Sequence, residues 1–151
     1  MNSFQTLKSK INTKTAKICI VGLGYVGLPL AVEFAKKGYL VYGYDTDQHR
    51  IEKLKAGEKF IVDVAPKEVL KLIKNKKFEP SVNDKVIRDS DVIIICVPTP
   101  LRKVKFPDVS YVVNASHTVR KNMRKSQLII LESTSYTTTT RNVTLPILQG
   151  S

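Results

Sequence analysis

The stretch ICIVGLGYVGLPL, residues 18–30, decides the fold of this chain. A run of apolar and β-branched residues leads into the pattern G-x-G-x-x-G, and apolar residues at helical spacing follow it. This order of strand, glycine turn and helix is typical of the turn that holds the pyrophosphate of a dinucleotide. Gly22 permits the tight turn, Gly24 lets the backbone approach the pyrophosphate, and Gly27 allows the helix to pack closely on the strand.

An acidic residue follows this unit at the expected distance. Residues 39–45, YLVYGYD, predict a second strand, and its last residue, Asp45, lies about 20 residues beyond Gly24. A carboxylate there accepts hydrogen bonds from the adenosine ribose of NAD and repels the 2′-phosphate of NADP. Arg50 lies close enough in sequence to accommodate such a phosphate, so these residues leave the choice of cofactor open. Asp45 could instead end its strand or cap a turn.

The remainder of the chain alternates between strand and helix patterns. Continuous apolar runs at 91–97 and 127–132 are typical of strands buried on both faces of a parallel sheet, and 78–82 is a candidate edge strand. Helical patterns with capping residues or a proline at their start separate the strands, beginning near Asp47, Pro66 and Asp108. The sequence therefore predicts an α/β fold with a doubly wound, mostly parallel sheet and helices on both faces, a Rossmann fold truncated before its last strand.

The chain is long enough for one domain with its own core, since 151 residues can bury a substantial apolar surface. We expect residues 15–151 to form the dinucleotide-binding domain and the polar residues 1–14 to form a loose N-terminal extension. No apolar run approaches the roughly 20 residues that cross a bilayer, and the first residues lack the apolar region of a signal peptide. We therefore expect a cytoplasmic protein with no membrane partner.

The net charge of +12 raises the question of a nucleic-acid partner. The basic residues are spread along the chain, and no recognised nucleic-acid motif appears among them. We therefore expect no nucleic-acid partner, and a surface charge that steers an anionic nucleotide toward its site. Cys19 and Cys96 lie in apolar strand patterns and predict buried thiols in a reducing compartment. No metal site is expected.

Polar residues follow several of the predicted strands at their carboxyl ends, where ligands bind in such sheets. Besides the glycine turn and Asp45, this edge should carry Val97-Pro98-Thr99-Pro100 and Glu132-Ser133-Thr134. Thr99 could be an ordinary loop residue, and Ser133 or Thr134 could cap a helix.

Five short motifs, taken in order, resemble those of the nucleotide-sugar 6-dehydrogenases, which act on UDP-glucose, GDP-mannose and UDP-N-acetylhexosamines. The resemblance runs from about Lys17 to the end of the chain. The motifs are GLGYVGLPL at 22–30, YD at 44–45, CVPTPL at 96–101, PD at 107–108 and LESTSY at 131–136. The third and fifth look most like those of the UDP-N-acetylhexosamine branch.

This resemblance implies a reaction and a role for each matching residue. The sugar C6 alcohol is oxidised to an aldehyde and then to a carboxylate, with NAD as the cofactor and two NAD consumed. Tyr25 and Val26 would lie against the pyrophosphate, and Asp45 and Arg50 would hold the adenosine end. An arginine at this position is therefore compatible with NAD as the cofactor. Residues of the later loops would also contact the cofactor, namely Val97, Thr99 and Thr134. Thr134 would in addition act in catalysis by positioning a water near the nicotinamide, because a hydroxyl both donates and accepts a hydrogen bond.

Two departures from the family pattern qualify these expectations. The family's Pro-Gly pair is replaced by Thr137-Thr138, which predicts an altered turn near the nicotinamide. The nucleophilic cysteine of the family lies beyond Ser151, and neither Cys19 nor Cys96 can replace it. We therefore expect this chain alone to bind NAD weakly and to be inactive, and the full-length protein to act on a UDP-sugar as a homodimer.

Other functions remain open at this point. The parent enzyme could be a UDP-glucose or a GDP-mannose 6-dehydrogenase, or a Rossmann dehydrogenase that acts on a hydroxy acid. The chain could also be a stand-alone NAD-binding module, or a basic α/β domain that binds nucleic acid.

Overall fold

The computed structural model describes residues 2–101 and 107–150, and its centre is a five-stranded sheet in which every pair is parallel. The strands are β1 (Lys17–Val21), β2 (Leu40–Tyr44), β3 (Phe78–Ser81), β4 (Val92–Ile95) and β5 (Leu128–Leu131). Their spatial order is β3-β2-β1-β4-β5. The α-helices among the described residues are α1 (Ser3–Asn12), α2 (Gly27–Lys36), α3 (Gln48–Ala56), α4 (Pro66–Lys74), α5 (Ser110–Asn122) and α6 (Leu145–Gln149). A 3₁₀ helix at Asp84–Ile87 precedes β4, and a π-helix at Thr140–Thr144 leads into α6. The predicted doubly wound α/β fold is confirmed.

The central strands bury both of their faces, because alternate side chains of a strand point to opposite sides of the sheet. On β1, Ile18 and Ile20 pack into a core beneath α2, α3 and α4, whereas Cys19 and Val21 pack into a second core beneath α5 and α6. Residues of β4 divide in the same way between the two cores. This double burial explains why both strands are continuous apolar runs in the sequence.

Local capping signals set the ends of the helices that follow β2. The Asp47 side chain accepts a hydrogen bond of 3.1 Å from the backbone N–H of Arg50 and caps α3. The same helix ends at Gly57, whose φ of 71° lies in the left-handed region. Pro66 occupies the first turn of α4, where its missing N–H costs nothing.

The expectation of a loose extension over residues 1–14 is wrong, because most of this segment forms α1. Asn2 and Gln5 make a capping box, in which each side chain accepts a hydrogen bond from the other residue's backbone N–H. Tyr39 donates a hydrogen bond of 2.9 Å from its hydroxyl to the Ile11 carbonyl. Leu7 packs against the core, so the helix is docked on the domain.

Asp91 anchors α1 to the amino end of the sheet. Its carboxylate accepts hydrogen bonds from Lys10 Nζ at 2.8 Å, the Lys17 backbone N–H at 3.0 Å and Arg124 Nη2 at 3.1 Å. Burial would by itself raise the pKa of Asp91, but these donors outweigh it and hold the pKa below its usual value. The charged carboxylate therefore stabilises the folded state.

Replacing Asp91 by Asn should lower the free energy of unfolding by about 2 kcal/mol at pH 7, because three donors lose the charge of their buried acceptor. The lowered pKa stabilises the fold above the ordinary carboxyl pKa of about 3.9, and this stabilisation is lost as the pH falls below that value. The difference between wild type and Asp91→Asn should therefore shrink between about pH 4 and pH 2. Urea unfolding across this range measures it, and a difference that stays constant would contradict the role of the charge.

The predicted strand at 127–132 is present as β5 but is not buried as expected. Leu128 is exposed and Ile129, Ile130 and Leu131 are only half-buried. The reason is that β5 is the edge of the sheet among the described residues, so only β4 pairs with it. The opposite edge is β3, as the sequence predicts.

None of the helices in the described ranges has the length and apolarity needed to cross a membrane.

Candidate functional site

The glycine turn follows β1, the central strand, from which the chain continues to β2 and β3 on one side and to β4 and β5 on the other. β1 pairs with β2 on one side and with β4 on the other, and such a switch point opens a crevice beyond the carboxyl ends of the strands. Gly22 has a φ of 97°, and a Cβ there would meet the Cys96 carbonyl oxygen at 2.7 Å. The turn is therefore held against the end of β4 and requires glycine at this position.

The other two glycines face different surroundings. A Cβ on Gly27 would lie 1.8 Å from the Gly22 carbonyl oxygen, so α2 starts directly against the turn. A Cβ on Gly24 would meet nothing within 4 Å, so this backbone borders open space. The close approach at Gly27 agrees with the tight helix packing that the sequence predicts there, and Gly24 leaves space beside its backbone.

This open space fits the pyrophosphate of a dinucleotide. It lies at the N-terminus of α2, whose N-cap residue Val26 makes no side-chain capping bond. The Leu28 N–H donates to the Gly24 carbonyl at 3.1 Å and Pro29 has no N–H, so the N–H donors for a ligand belong to the glycine turn before them. Free N–H groups and the partial positive charge of a helix N-terminus favour an anion. Tyr25 and Val26 border the turn with 79% and 57% of their surface exposed. Both side chains are thus available to a ligand.

Asp45 lies next to the turn and is only 5% exposed. Its Oδ2 accepts hydrogen bonds from the Leu23 N–H at 2.8 Å and from Arg50 Nη1 at 2.6 Å, and its Oδ1 accepts one from the Asp47 N–H at 2.9 Å. The carboxylate therefore links β2 to the glycine turn. A carboxylate offers about four acceptor positions, so these three bonds leave room for one bond from a ribose hydroxyl.

Arg50 is fixed by three neighbours. Besides the bond to Asp45, its Nη2 lies 3.7 Å from Asp47 Oδ2, and its guanidinium carbon lies 5.0 Å from the centroid of the Phe60 ring. The Arg50 Nε is buried and has no hydrogen-bond partner. Sequence reasoning missed Phe60, which is a single aromatic residue in the irregular segment between α3 and α4 and carries no motif.

The loops after β4 and β5 meet at the same edge of the sheet. The Thr99 hydroxyl donates a hydrogen bond to the Thr134 carbonyl oxygen, and the backbone N–H of Ser133 donates to the Ile95 carbonyl at 3.2 Å. Val97 is half-buried, and its Cγ1 would lie 3.3 Å from a Cβ on Gly22. The predicted site residues therefore form two groups, one around Asp45 and Arg50 and one around Thr99 and Thr134, with the glycine turn at the same edge.

Thr138 has a φ of 74°, which lies in the left-handed region that favours glycine. The segment thus adopts a glycine-like backbone at the position where the resemblance expects glycine, although the residue is β-branched. Two hydrogen bonds from Asn142 hold it, one from the backbone N–H to the Thr138 carbonyl at 2.8 Å and one from Nδ2 to Oγ1 at 3.1 Å. A β-branched residue in this conformation carries strain of about 1–3 kcal/mol.

Replacing Thr138 by Gly should stabilise the protein by about 1 kcal/mol, because relief of the strain exceeds the extra backbone entropy of the unfolded chain. Thermal unfolding should show an increase in Tm of about 3 °C. Thr137→Gly is the matched control, since Thr137 is not among the residues of positive φ, and it should destabilise the protein. Equal effects of the two changes would show that Thr138 is not strained.

Both cysteines are buried free thiols, as the sequence predicts. Burial raises the pKa of Cys19 to about 12 despite hydrogen bonds that lower it, and burial with the nearby Glu132 raises that of Cys96 to about 12. Neither residue forms a thiolate near neutral pH, so neither is suited to act as a nucleophile.

Comparisons with known proteins agree with this geometry. Residues 16–151 match the UDP-glucose/GDP-mannose dehydrogenase family, NAD binding domain. The chain is 40% identical over 136 residues to UDP-N-acetyl-D-glucosamine 6-dehydrogenase of Pseudomonas aeruginosa, covering 90% of this chain and 31% of that protein. It is 44% identical over 124 residues to UDP-N-acetyl-D-mannosamine dehydrogenase of Pyrococcus horikoshii, covering 78% of this chain and 28% of that protein.

Solved structures show the same relationship. A ternary complex of GDP-mannose dehydrogenase from Pseudomonas aeruginosa superposes with a TM-score of 0.83 at 27% identity, covering 88% of this chain and 32% of that one. The UDP-N-acetyl-mannosamine dehydrogenase of Staphylococcus aureus superposes with a TM-score of 0.81 at 32% identity, covering 89% of this chain and 33% of that one. The chain thus spans about a third of the length of these proteins. It belongs to the UDP-glucose/GDP-mannose dehydrogenase family, as an NAD-binding domain.

Proposed function

We propose that this chain supplies the NAD site of a UDP-sugar 6-dehydrogenase, which oxidises the sugar C6 alcohol to a carboxylate with two NAD. The observation that carries the proposal is the open space at Gly24 beside the N-terminus of α2, with the Asp45 carboxylate fixed at the end of the neighbouring strand. NAD, when bound, accepts the hydride that leaves the sugar C6. The residues of this chain would bind and orient the cofactor.

Each residue has a task in this proposal. The backbone around Gly24, with Tyr25 and Val26 beside it, holds the pyrophosphate. Asp45 accepts a hydrogen bond from the adenosine ribose. The net charge of +12 favours the approach of anionic nucleotides.

The loops after β4 and β5 hold the nicotinamide end. Val97 and Thr99 contact the cofactor, and Thr134, which is an exposed residue, positions a water through its hydroxyl. The bond from the Thr99 hydroxyl to the Thr134 carbonyl fixes one loop relative to the other, which supports this arrangement.

The sugar is most consistent with a UDP-N-acetylhexosamine. In superposition the UDP-N-acetyl-mannosamine dehydrogenase of Staphylococcus aureus is 32% identical to this chain, whereas the GDP-mannose dehydrogenase is 27% identical. The relatives that are 40% and 44% identical in sequence are also UDP-N-acetylhexosamine dehydrogenases. The alternatives are a UDP-glucose or a GDP-mannose 6-dehydrogenase, and a stand-alone NAD-binding module. The resemblance to this family implies a nucleophilic cysteine outside the third of the relatives' length that this chain spans, so we expect this chain alone to bind NAD weakly and to catalyse nothing. We further propose a cytoplasmic homodimer for the full-length enzyme.

Calorimetric titration of the chain with NAD, NADP and UDP-N-acetylglucosamine tests the proposal. Binding of NAD without binding of the sugar nucleotide supports the assigned role. A chain that is folded by thermal unfolding but binds no dinucleotide would overturn it. Turnover of UDP-N-acetylglucosamine, UDP-glucose and GDP-mannose by the full-length enzyme then identifies the sugar, and an absence of sugar oxidation would favour the stand-alone module.

A further inference from the structure

Arg50 stands beside the carboxylate that is proposed to bind the adenosine ribose, where an arginine can equally well bind the 2′-phosphate of NADP. In this structure, however, its guanidinium is already engaged. Nη1 lies 2.6 Å from Asp45 Oδ2, and Nη2 lies 3.7 Å from Asp47 Oδ2. Two carboxylates and one guanidinium leave a net negative charge at this point, which disfavours a phosphate.

The Arg50 guanidinium also lies over the Phe60 ring. The ring centroid lies 5.0 Å from the Arg50 guanidinium carbon, within the range of a cation–π contact. Phe60 is itself half-buried and packs against the core beneath α2 and α4, so the ring has a fixed place. The Arg50 Nε is buried without a partner, which shows that contact with water has been excluded from this side of Arg50.

We propose that Phe60 determines cofactor specificity by positioning Arg50. The ring keeps the guanidinium on Asp45, so that Arg50 cannot turn outward to pair with a 2′-phosphate. Without an aromatic face at position 60, the guanidinium becomes hydrated at Nε and free to leave the carboxylate. Arg50 would then assist NADP instead of excluding it. The inference rests on the proposed function, because it requires the adenosine of NAD to lie beside Asp45.

Titration of wild type, Phe60→Leu and Phe60→Tyr with NAD and with NADP tests this role. Leucine keeps apolar bulk but has no π face, and tyrosine keeps the ring. Phe60→Leu should narrow the preference for NAD over NADP about fivefold, which corresponds to a cation–π contact of about 1 kcal/mol. Most of that change should come from tighter binding of NADP. Phe60→Tyr should keep the wild-type preference.

The Nε–Hε resonance of Arg50 in an NMR spectrum provides a second readout that does not depend on dinucleotide. It should carry a ring-current shift in wild type and in Phe60→Tyr, and lose it in Phe60→Leu. A lost shift with an unchanged NAD preference would overturn the role in specificity. Equal weakening of NAD and NADP would also overturn it, because the ring would then be contacting the base. If wild type binds neither dinucleotide, both the proposed function and this inference fail.

Discussion

Adding one methyl group at Gly27 should strongly destabilise the fold, whereas the same methyl group at Gly24 should weaken only NAD binding. A Cβ on Gly27 would lie 1.8 Å from the Gly22 carbonyl oxygen, which is a backbone atom and cannot rotate away. The start of α2 would have to move off the glycine turn. Overpacking of this kind costs about 3 kcal/mol or more, so Gly27→Ala should lower Tm by roughly 10 °C.

Gly24→Ala is the matched change, since its methyl group meets no atom within 4 Å. Its Tm should stay within about 2 °C of the wild-type value. The methyl group would instead occupy the space proposed for the pyrophosphate, so the affinity for NAD should fall at least about tenfold. Thermal unfolding and calorimetric titration of both variants measure the two effects. A Gly24→Ala variant that binds NAD normally would contradict the placement of the pyrophosphate.

The glycine turn and the central sheet could be predicted from the sequence because their signals are local. The three glycines lie within six residues, and the strand on either side of the switch point is an apolar run that needs no distant partner to be recognised. Asp47, Gly57 and Pro66 likewise mark helix ends through contacts within one turn. These features depend on backbone geometry that neighbouring residues determine.

Features that depend on distant contacts were missed or misjudged. α1 has a mostly polar sequence, and its docking depends on Lys10 meeting Asp91 and on Ile11 meeting Tyr39. The apolar run of β5 indicated burial on both faces, but an apolar pattern does not reveal how many strands flank it. Sequence spacing contains no information on either point.

Phe60 shows the same limit within the candidate site. Its contact with Arg50 forms because the irregular segment after α3 folds back onto that helix. The residues that flank Phe60 and Arg50 in sequence do not indicate this contact. Asp45 and Arg50 themselves were predictable because their distances from the glycine turn are characteristic of the motif. The sequence therefore predicts which residues approach the cofactor better than it predicts which residues hold them in place.

Asp45 is proposed to bind the adenosine ribose, and it also holds the glycine turn and Arg50 in place. Its removal should therefore reduce both NAD affinity and stability. Asp45→Ala would leave the buried Leu23 N–H without an acceptor and Arg50 without its nearest anion. Loss of an acceptor for a buried donor and for a half-buried cation costs about 3 kcal/mol together, so Tm should fall by roughly 10 °C. NAD binding should become undetectable, because the ribose loses its acceptor and the glycine turn loses its anchor.

Asp45→Asn separates these two contributions. Its amide oxygen can still accept the Leu23 N–H, although the Asp47 N–H then loses its acceptor, so the loss of stability should be smaller than for Asp45→Ala. The lost charge weakens the attraction of Arg50 to this position and removes the repulsion of a 2′-phosphate. The preference for NAD over NADP should therefore collapse while the fold survives. Asp47→Asn is the comparison, because it removes the second carboxylate beside Arg50 while asparagine remains an equally good N-cap for α3. Asp47 is exposed and lies 3.7 Å from the guanidinium, so its change should narrow the preference less than the change at Asp45. If Asp45→Asn and Asp47→Asn changed the preference equally, general surface charge rather than the fixed Asp45 carboxylate would determine the choice of dinucleotide.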